Sequence, residues 1–337
     1  MFVVARGVHL AYYIVCRQGR RVMALTMTSR PALPEVSGVE HQYVDLPDGR
    51  MHIASAGHGQ PVLLLSGFGQ SWWEWREVIP ALAADGYQAI APDLRGEGWS
   101  ELPTKPMNRT RRAEDILFLL DRLGLDPVRL VSHDLGAISA YHLTLDHPER
   151  FRAQILFSVP PPQMRFTADL LPGMRHLWHQ EVLAIPGLGP ALLRGNYLPR
   201  WLFSHFAAQP LAPEAVEFYV SLLRDSEFAR GSTPLCQRIV LPELARITRG
   251  AYRQQRFAMP TLFVFGTKDV GFPPHVVDKL FADPSTLGRD VRVAAVPNAG
   301  HYVVDEAPNA AIKLIMDFFG EQAPWTVAMQ TVSRRDG

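Results

Sequence analysis

Cysteine is scarce: the 337 residues contain two, Cys16 and Cys236. A pair that sparse gives neither a disulfide framework nor a metal-ligand pattern, so a reducing compartment is expected. Net charge is nearly absent too. Lys and Arg total 34 against 33 Asp and Glu, a balance of +1 that exerts no general pull on nucleic acid or an anionic membrane. The local cluster Arg109, Arg111 and Arg112 precedes a helical pattern and reads as a solvated face. Long apolar runs are missing as well. The N-terminal MFVVARGVHLAYYIVC comes nearest, but it contains Arg6 and His9 and stops at Cys16, short of the roughly 20 residues a membrane helix needs. It has neither the leading positive charge nor the small-residue cleavage site of a secretory signal. Residues 1–38 are therefore expected to be a disordered extension, with an internal start at Met23 or Met27. A cytoplasmic protein without stable membrane insertion is expected, and export through an atypical N-terminal signal is the alternative. The sequence has no internal repeat and no low-complexity segment.

What is present is ordinary in bulk and ordered in pattern. Hydrophobic residues at 47% and charged residues at 20% suit a soluble globular protein with one large core or two modest ones. From Gln42 onward strands and helices alternate. Tyr43–Leu46 and Arg50–Ala54, joined by Pro47-Asp48-Gly49, read as a hairpin. Pro61–Leu65, Tyr87–Ala91, Val128–Val131 and Ala153–Phe157 read as buried strands. Between them Trp75–Ala84, Arg112–Leu123 and Leu135–Leu145 carry helical spacing. After Ser158 a Pro-rich stretch reads as several helices with no convincing strand. Alternation resumes with Thr261–Phe265, Val276–Phe281, Val291–Val296 and Ala307–Phe319. This order implies an α/β fold, a mostly parallel sheet with helices on both faces. Residues 39–158 and 256–322 are expected to form its core, 159–255 a helical lid over the sheet's carboxyl edge, and 323–337 a tail. Ligands bind at that edge in open α/β sheets.

The chemistry centres on Val131-Ser132-His133-Asp134-Leu135-Gly136-Ala137, which joins a strand to a helix. Ser132 and Gly136, two positions either side of Asp134, are small, as a tight strand–turn–helix that presents a nucleophile demands. The following helix N-terminus offers free N–H groups and positive dipole beside it. Asp134 alone could equally be a helix cap. Asp269 and His301, however, follow later strands, so nucleophile, acid and histidine occupy successive strand ends in the order this arrangement requires. An aspartate in the attacking position points away from acyl transfer. Attack on a saturated carbon by serine would leave an ether that water cannot cleave. A carboxylate gives an alkyl ester, whose carbonyl remains open to water. His301, oriented by Asp269, is then the expected base for that water.

From about Pro61 to Phe319 the chain resembles the epoxide hydrolase and haloalkane dehalogenase branch of the α/β-hydrolase fold. Leu65-Ser66-Gly67-Phe68-Gly69-Gln70-Ser71-Trp72-Trp73-Glu74-Trp75 is similar to the branch's HGFP-Q-x-x-x-x-W loop, with Ser66 where His is usual and Gly69 where proline is usual. Ala91-Pro92-Asp93-Leu94-Arg95-Gly96-Glu97-Gly98-Trp99-Ser100 resembles its A-P-D-x-R-G-x-G-x-S loop. The resemblance implies an oxyanion hole formed by the N–H groups of Phe68 and Leu135. It also implies that acids in the lid polarise an oxirane oxygen. Ala251-Tyr252-Arg253 is similar to a lid x-Tyr-Arg motif, and His179, seven residues before Pro186, stands at the first lid-acid position. Trp72 and Trp178 are expected to line the substrate pocket, although aromatics at such spacing are as readily core.

Haloalkane dehalogenases of this kind hold the halide with a Trp after the nucleophile, where this chain has Leu135, and often with a second donor, where it has Phe68. Fluoroacetate dehalogenases bind the substrate carboxylate through arginines where this chain has Leu135 and Ile138. The resemblance therefore implies an epoxide hydrolase that takes a small apolar epoxide and water to a vicinal diol, without metal or organic cofactor. A haloalkane or haloacid dehalogenase with the same Asp–His–Asp set is one alternative, and an inactive hydrolase-fold binding protein the other. Nucleic acid is not an expected partner; a homodimer is left open.

Overall fold

The computed structural model describes residues 30–321. The expectations of an internal start, an export signal and a tail lie outside the described residues. Part of the expected disordered extension is corrected. Residues 30–38 lie along the core, where Arg30 donates to the Ser100 carbonyl and pairs with Glu227 at 3.3 Å, and Leu33 and Val36 pack on buried side chains.

Eight strands form one sheet: β1 Glu40–Leu46, β2 Gly49–Ala56, β3 Gln60–Leu65, β4 Tyr87–Pro92, β5 Val128–His133, β6 Phe151–Phe157, β7 Thr261–Gly266 and β8 Val291–Val296. Their order is β1-β2-β4-β3-β5-β6-β7-β8. The hairpin β1–β2 and the β2–β4 pair are antiparallel; every pairing from β4 onward is parallel. Alternate strand residues feed opposite faces, as a pleat requires. Leu63 and Leu65 enter the layer with Ile116, Leu120 and Tyr141, whereas Val62 and Leu64 enter the layer with Ile79, Leu82 and Ile315. Full burial of each such side chain contributes about 1.5–3 kcal/mol.

The core helices are α1 Val78–Ala84, α2 Arg109–Leu123, α3 Asp134–Asp146, α11 Pro274–Leu280, α12 Val303–Glu306 and α13 Pro308–Gly320. The helix expected from Trp75 begins later: Ser71 caps a short 3-10 turn, Trp72–Trp75, ahead of α1. Between β6 and β7 lie α4 Leu171–Met174, α5 Trp178–Leu183, α6 Leu188–Leu193, α7 Tyr197–His205, α8 Pro213–Arg224, α9 Ser226–Leu235 and α10 Leu241–Thr248. No strand interrupts them among the described residues. Pro234 cannot donate a helical N–H, and α9 passes into a π-turn at Cys236–Val240.

The strand order places the site. From β3 the chain moves outward to β4, then crosses back to β5 on the other side of β3. The loops that leave the carboxyl ends of β3 and β5 therefore diverge from a switch point, with Leu65 level with Ser132. Asp93 braces this edge from β4, accepting from the N–H groups of Trp72 at 2.7 Å and Trp99 at 3.0 Å.

Candidate active site

Asp134 opens α3 with φ of 44°, a left-handed conformation that Asp tolerates better than most residues. The turn is tight enough that a side-chain carbon at Gly136 would stand 2.3 Å from the Leu65 carbonyl oxygen. Across the switch point, Phe68 N donates to Asp134 Oδ2 at 2.9 Å. Leu135, second in α3, is among the helix residues whose N–H has no carbonyl four places back. The loop bearing Phe68 departs from the HGFP pattern for a visible reason. Gly69 has φ of 78°, which no proline can adopt, and Ser66 links the Ser71 carbonyl to the Trp75 indole N–H at 2.7 and 3.0 Å.

His301 is fixed by its backbone. Its N–H donates to the Phe206 carbonyl at 2.9 Å, and its own carbonyl accepts from Ser158 Oγ at 2.7 Å and His133 Nε2 at 3.0 Å. Ser158 thus holds the histidine in place. The His301 ring places Nδ1 3.1 Å from Asp269 Oδ2 and Nε2 3.8 Å from Asp134 Oδ1. Asp269 is buried, and its Oδ1 accepts from Gly271 N at 2.8 Å. With Nε2 given to a carbonyl, His133 keeps Nδ1 2.8 Å from Glu74 Oε1.

The charges follow from this geometry. Burial opposes ionisation of His301, but the carboxylates of Asp269 and Asp134 outweigh it and lift its pKa to about 10. Burial likewise opposes the Asp134 carboxylate, yet His301, His133 and the Phe68 N–H hold it far below the usual carboxylate range. At rest the pair is a carboxylate facing an imidazolium. Burial and the Glu74 carboxylate pull His133 in opposite directions, and the carboxylate prevails.

Two cavities meet here. Asp134, His301, Ile138, Leu177, Gln180 and Val240 line both. One, about 880 Å³ including its mouth, runs past Tyr141, Met164, Phe166 and Leu170 to Glu243. The other holds Phe68, Leu135, His179, Phe206 and Cys236. His179 Nδ1 stands 3.0 Å from the His176 carbonyl oxygen, so that nitrogen carries the proton and Nε2 is left for other partners. Burial lowers the His179 pKa to about 4, which makes the ring neutral near pH 7.

The structure does not bring three of the expected residues to this site. Tyr252 is 3% exposed and lies in the turn after α10, its hydroxyl accepting from Arg109 Nη1 at 2.9 Å and lying 3.0 Å from His142 Nε2. It lines neither cavity around Asp134, because the chain enters β7 soon after it. Trp72 is 0% exposed, an interior residue edge-on to His41 at 4.7 Å. Trp178 is 39% exposed and packs on Trp201 at 5.0 Å; one residue along a helix turns about 100°, so His179 faces inward while Trp178 does not. Conversely, Tyr141, Gln180 and Glu243 line the cavities unannounced by any motif. Tyr141 had one signal available, its place seven residues after Asp134 on the same helix.

Residues 60–308 match the alpha/beta hydrolase fold family, and the chain belongs to that family. It is 27% identical to the soluble epoxide hydrolase of Corynebacterium sp. (strain C12) over 291 residues, 83% of this chain and 97% of that one. It is 27% identical to haloalkane dehalogenase 2 of Mycobacterium bovis over 291 residues, 85% of this chain and 97% of that one. Epoxide hydrolase 2 of Siraitia grosvenorii is 42% identical over 123 residues, 36% of this chain, and the match spans 39% of that relative's length.

Proposed function

We propose that this chain is an epoxide hydrolase with Asp134 as its nucleophile. Overall similarity extends to an epoxide hydrolase and to a dehalogenase at the same identity, so the wall around Asp134 carries the choice. Phe68 and Leu135 present apolar side chains to the nucleophile's cavity, where a departing halide would need N–H donors. Asp134 Oδ1, the oxygen not held by Phe68, attacks an oxirane carbon, and the carbon–oxygen bond of the ring breaks. The released oxygen takes a proton on the α5 side of the cavity. Gln180 supplies an amide N–H there to hold that oxygen, and the proton it takes is the one His301 gives up as the Asp134 charge is lost, relayed by a water that donates to Nε2 of the neutral His179.

Ester formation removes the Asp134 charge and with it part of what keeps His301 protonated. The imidazole then takes a proton from water attacking Asp134 Cγ. The N–H groups of Phe68 and Leu135 hold the resulting oxyanion, and its collapse releases the diol and restores the carboxylate. In this proposal residues 159–255 act as the lid, 39–158 with 256–322 as the core, and the substrate is a small apolar epoxide. No helix among the described residues is long and apolar enough to cross a membrane. We place the enzyme in the cytoplasm on the scarcity of cysteine.

The test pairs styrene oxide with a chloroalkane, assaying diol and halide. Diol from the first and no halide from the second are expected. Rapid-quench mass spectrometry with His301→Gln should show an adduct on the peptide containing Asp134. Halide release without diol, or an adduct elsewhere, would sink the proposal.

A further inference from the structure

Two polar groups in the first cavity have no part in the scheme above. Tyr141 lies two helical turns beyond Asp134, and Asp134, Ile138 and Tyr141 line that cavity together. Tyr141 is 1% exposed and packs edge-on to His142 and Tyr252, with ring centroids 5.2 and 6.2 Å away. Its hydroxyl has no hydrogen-bond partner among the described residues. Glu243, on α10, is also 1% exposed. Its Oε2 accepts from His142 Nε2 at 2.9 Å and has the guanidinium groups of Arg109 and Arg246 each at 3.9 Å. Its Oε1 is buried with no hydrogen-bond partner among the described residues.

An unpaired buried carboxylate oxygen is costly, and two unpaired polar groups on residues that line one cavity, amid apolar neighbours at its far end, are the signature of something that satisfies both. Met164, Phe166, Leu170 and Ile247 form the surrounding wall. We propose that Tyr141 and Glu243 bind a hydroxyl group carried by the substrate, about 10 Å from the carbon that Asp134 attacks. This rests on the epoxide hydrolase reading and names its substrate class, an apolar epoxide with a hydroxyl at its far end. The substrate hydroxyl donates to Glu243 Oε1 and accepts from the Tyr141 phenol. Burial, Glu243 and Tyr252 raise the phenol well above its ordinary pKa, so it keeps its proton to donate. A cationic group fits less well, since Arg109 and Arg246 already flank Glu243, and a carboxylate would meet Glu243 itself.

The test compares kcat/KM for a terminal epoxide of about ten carbons bearing an ω-hydroxyl with that of the same epoxide lacking it. The methyl ether of the hydroxyl is a third substrate, able to accept but not donate. Wild type should favour the hydroxy epoxide over the other two by about tenfold or more, because a site built to pair a hydroxyl discriminates against its absence. Tyr141→Phe, which keeps the ring and so the packing, should cut that ratio about tenfold, as should Glu243→Gln. A wild-type ratio near one, or variants that keep the preference or slow all three substrates alike, would overturn the inference and leave the epoxide reading standing. Failure of wild type to open any of the three would instead strike the reading on which it rests.

Discussion

At the scale of single residues, His301 performs two tasks that ask opposite things of its charge. Between Asp134 and Asp269 it is an imidazolium with a pKa of about 10, which stabilises the Asp134 carboxylate before attack. Water activation needs it neutral. Alkylation supplies the switch, since the ester leaves Asp269 as the one carboxylate on the ring and lowers the pKa from its resting value. The sign of the pH dependence follows. Acid protonates His301 and removes the base, so ester hydrolysis should fall about tenfold per pH unit below the alkyl-enzyme's His301 pKa. Single-turnover decay of a pre-formed ester would measure it. A rate independent of pH between roughly 4 and 8 would contradict the assignment.

At the scale of elements, the site depends on how closely β5 and α3 approach the end of β3. Gly136 has no room for a methyl group: the added carbon would stand 2.3 and 2.7 Å from the Leu65 and Ser66 carbonyl oxygens, both backbone. Gly136→Ala should therefore push α3 away and destabilise the protein by about 1–3 kcal/mol, the usual cost of overpacking. It should also lower the rate of ester formation by displacing Asp134 from Phe68 N. Urea unfolding within about 0.5 kcal/mol of wild type would show that the turn has slack. This same geometry explains what the sequence disclosed. A small residue on each side of Asp134, at a strand-to-helix junction, is a local pattern, as are the apolar strands bounded by turn residues. Glu243 left no such trace, because a glutamate in an amphipathic helix reads as solvated until its burial beside His142 is known. Tyr252 misled for a related reason. Three residues can match a motif, but they do not encode which side of a turn faces the cavity. Trp72 and Trp178 show the same limit: spacing alone does not separate a pocket wall from an interior or surface aromatic.

At the scale of the whole molecule, one buried carboxylate joins the lid to the core beneath the site. Asp305, on α12 just after His301, accepts from Arg76 Nη1 at 2.6 Å, Gln70 Nε2 at 2.9 Å and the Tyr219 hydroxyl at 2.9 Å. Gln70 belongs to the Phe68 loop, Arg76 precedes α1, and Tyr219 comes from α8 of the lid. Gln70 Oε1 in turn lies 3.1 Å from His133 Nδ1, so the hub reaches the residue that holds the His301 carbonyl. A buried ion pair of this kind is weak evidence for net stability, but removing one partner leaves the other without compensation. Asp305→Ala should therefore cost about 3 kcal/mol, since Arg76, Gln70 and Tyr219 all lose their acceptor. Arg76→Leu should cost at least as much, because it strands the Asp305 carboxylate in the interior, whereas the guanidinium left by Asp305→Ala is partly exposed and stacks 4.1 Å from the Trp73 ring. The double variant should be more stable than the sum of the two predicts, by a coupling energy of about 1–3 kcal/mol. Asp305→Ala should also slow both ester formation and ester hydrolysis, because the Gln70 loop presents Phe68 N first to the resting Asp134 carboxylate and then to the oxyanion of the attacked ester. Denaturant unfolding of the four proteins, with single-turnover rates for each, would decide it. Additivity within about 0.5 kcal/mol together with unchanged rates would mean that Asp305 neither couples to Arg76 nor fixes the loop.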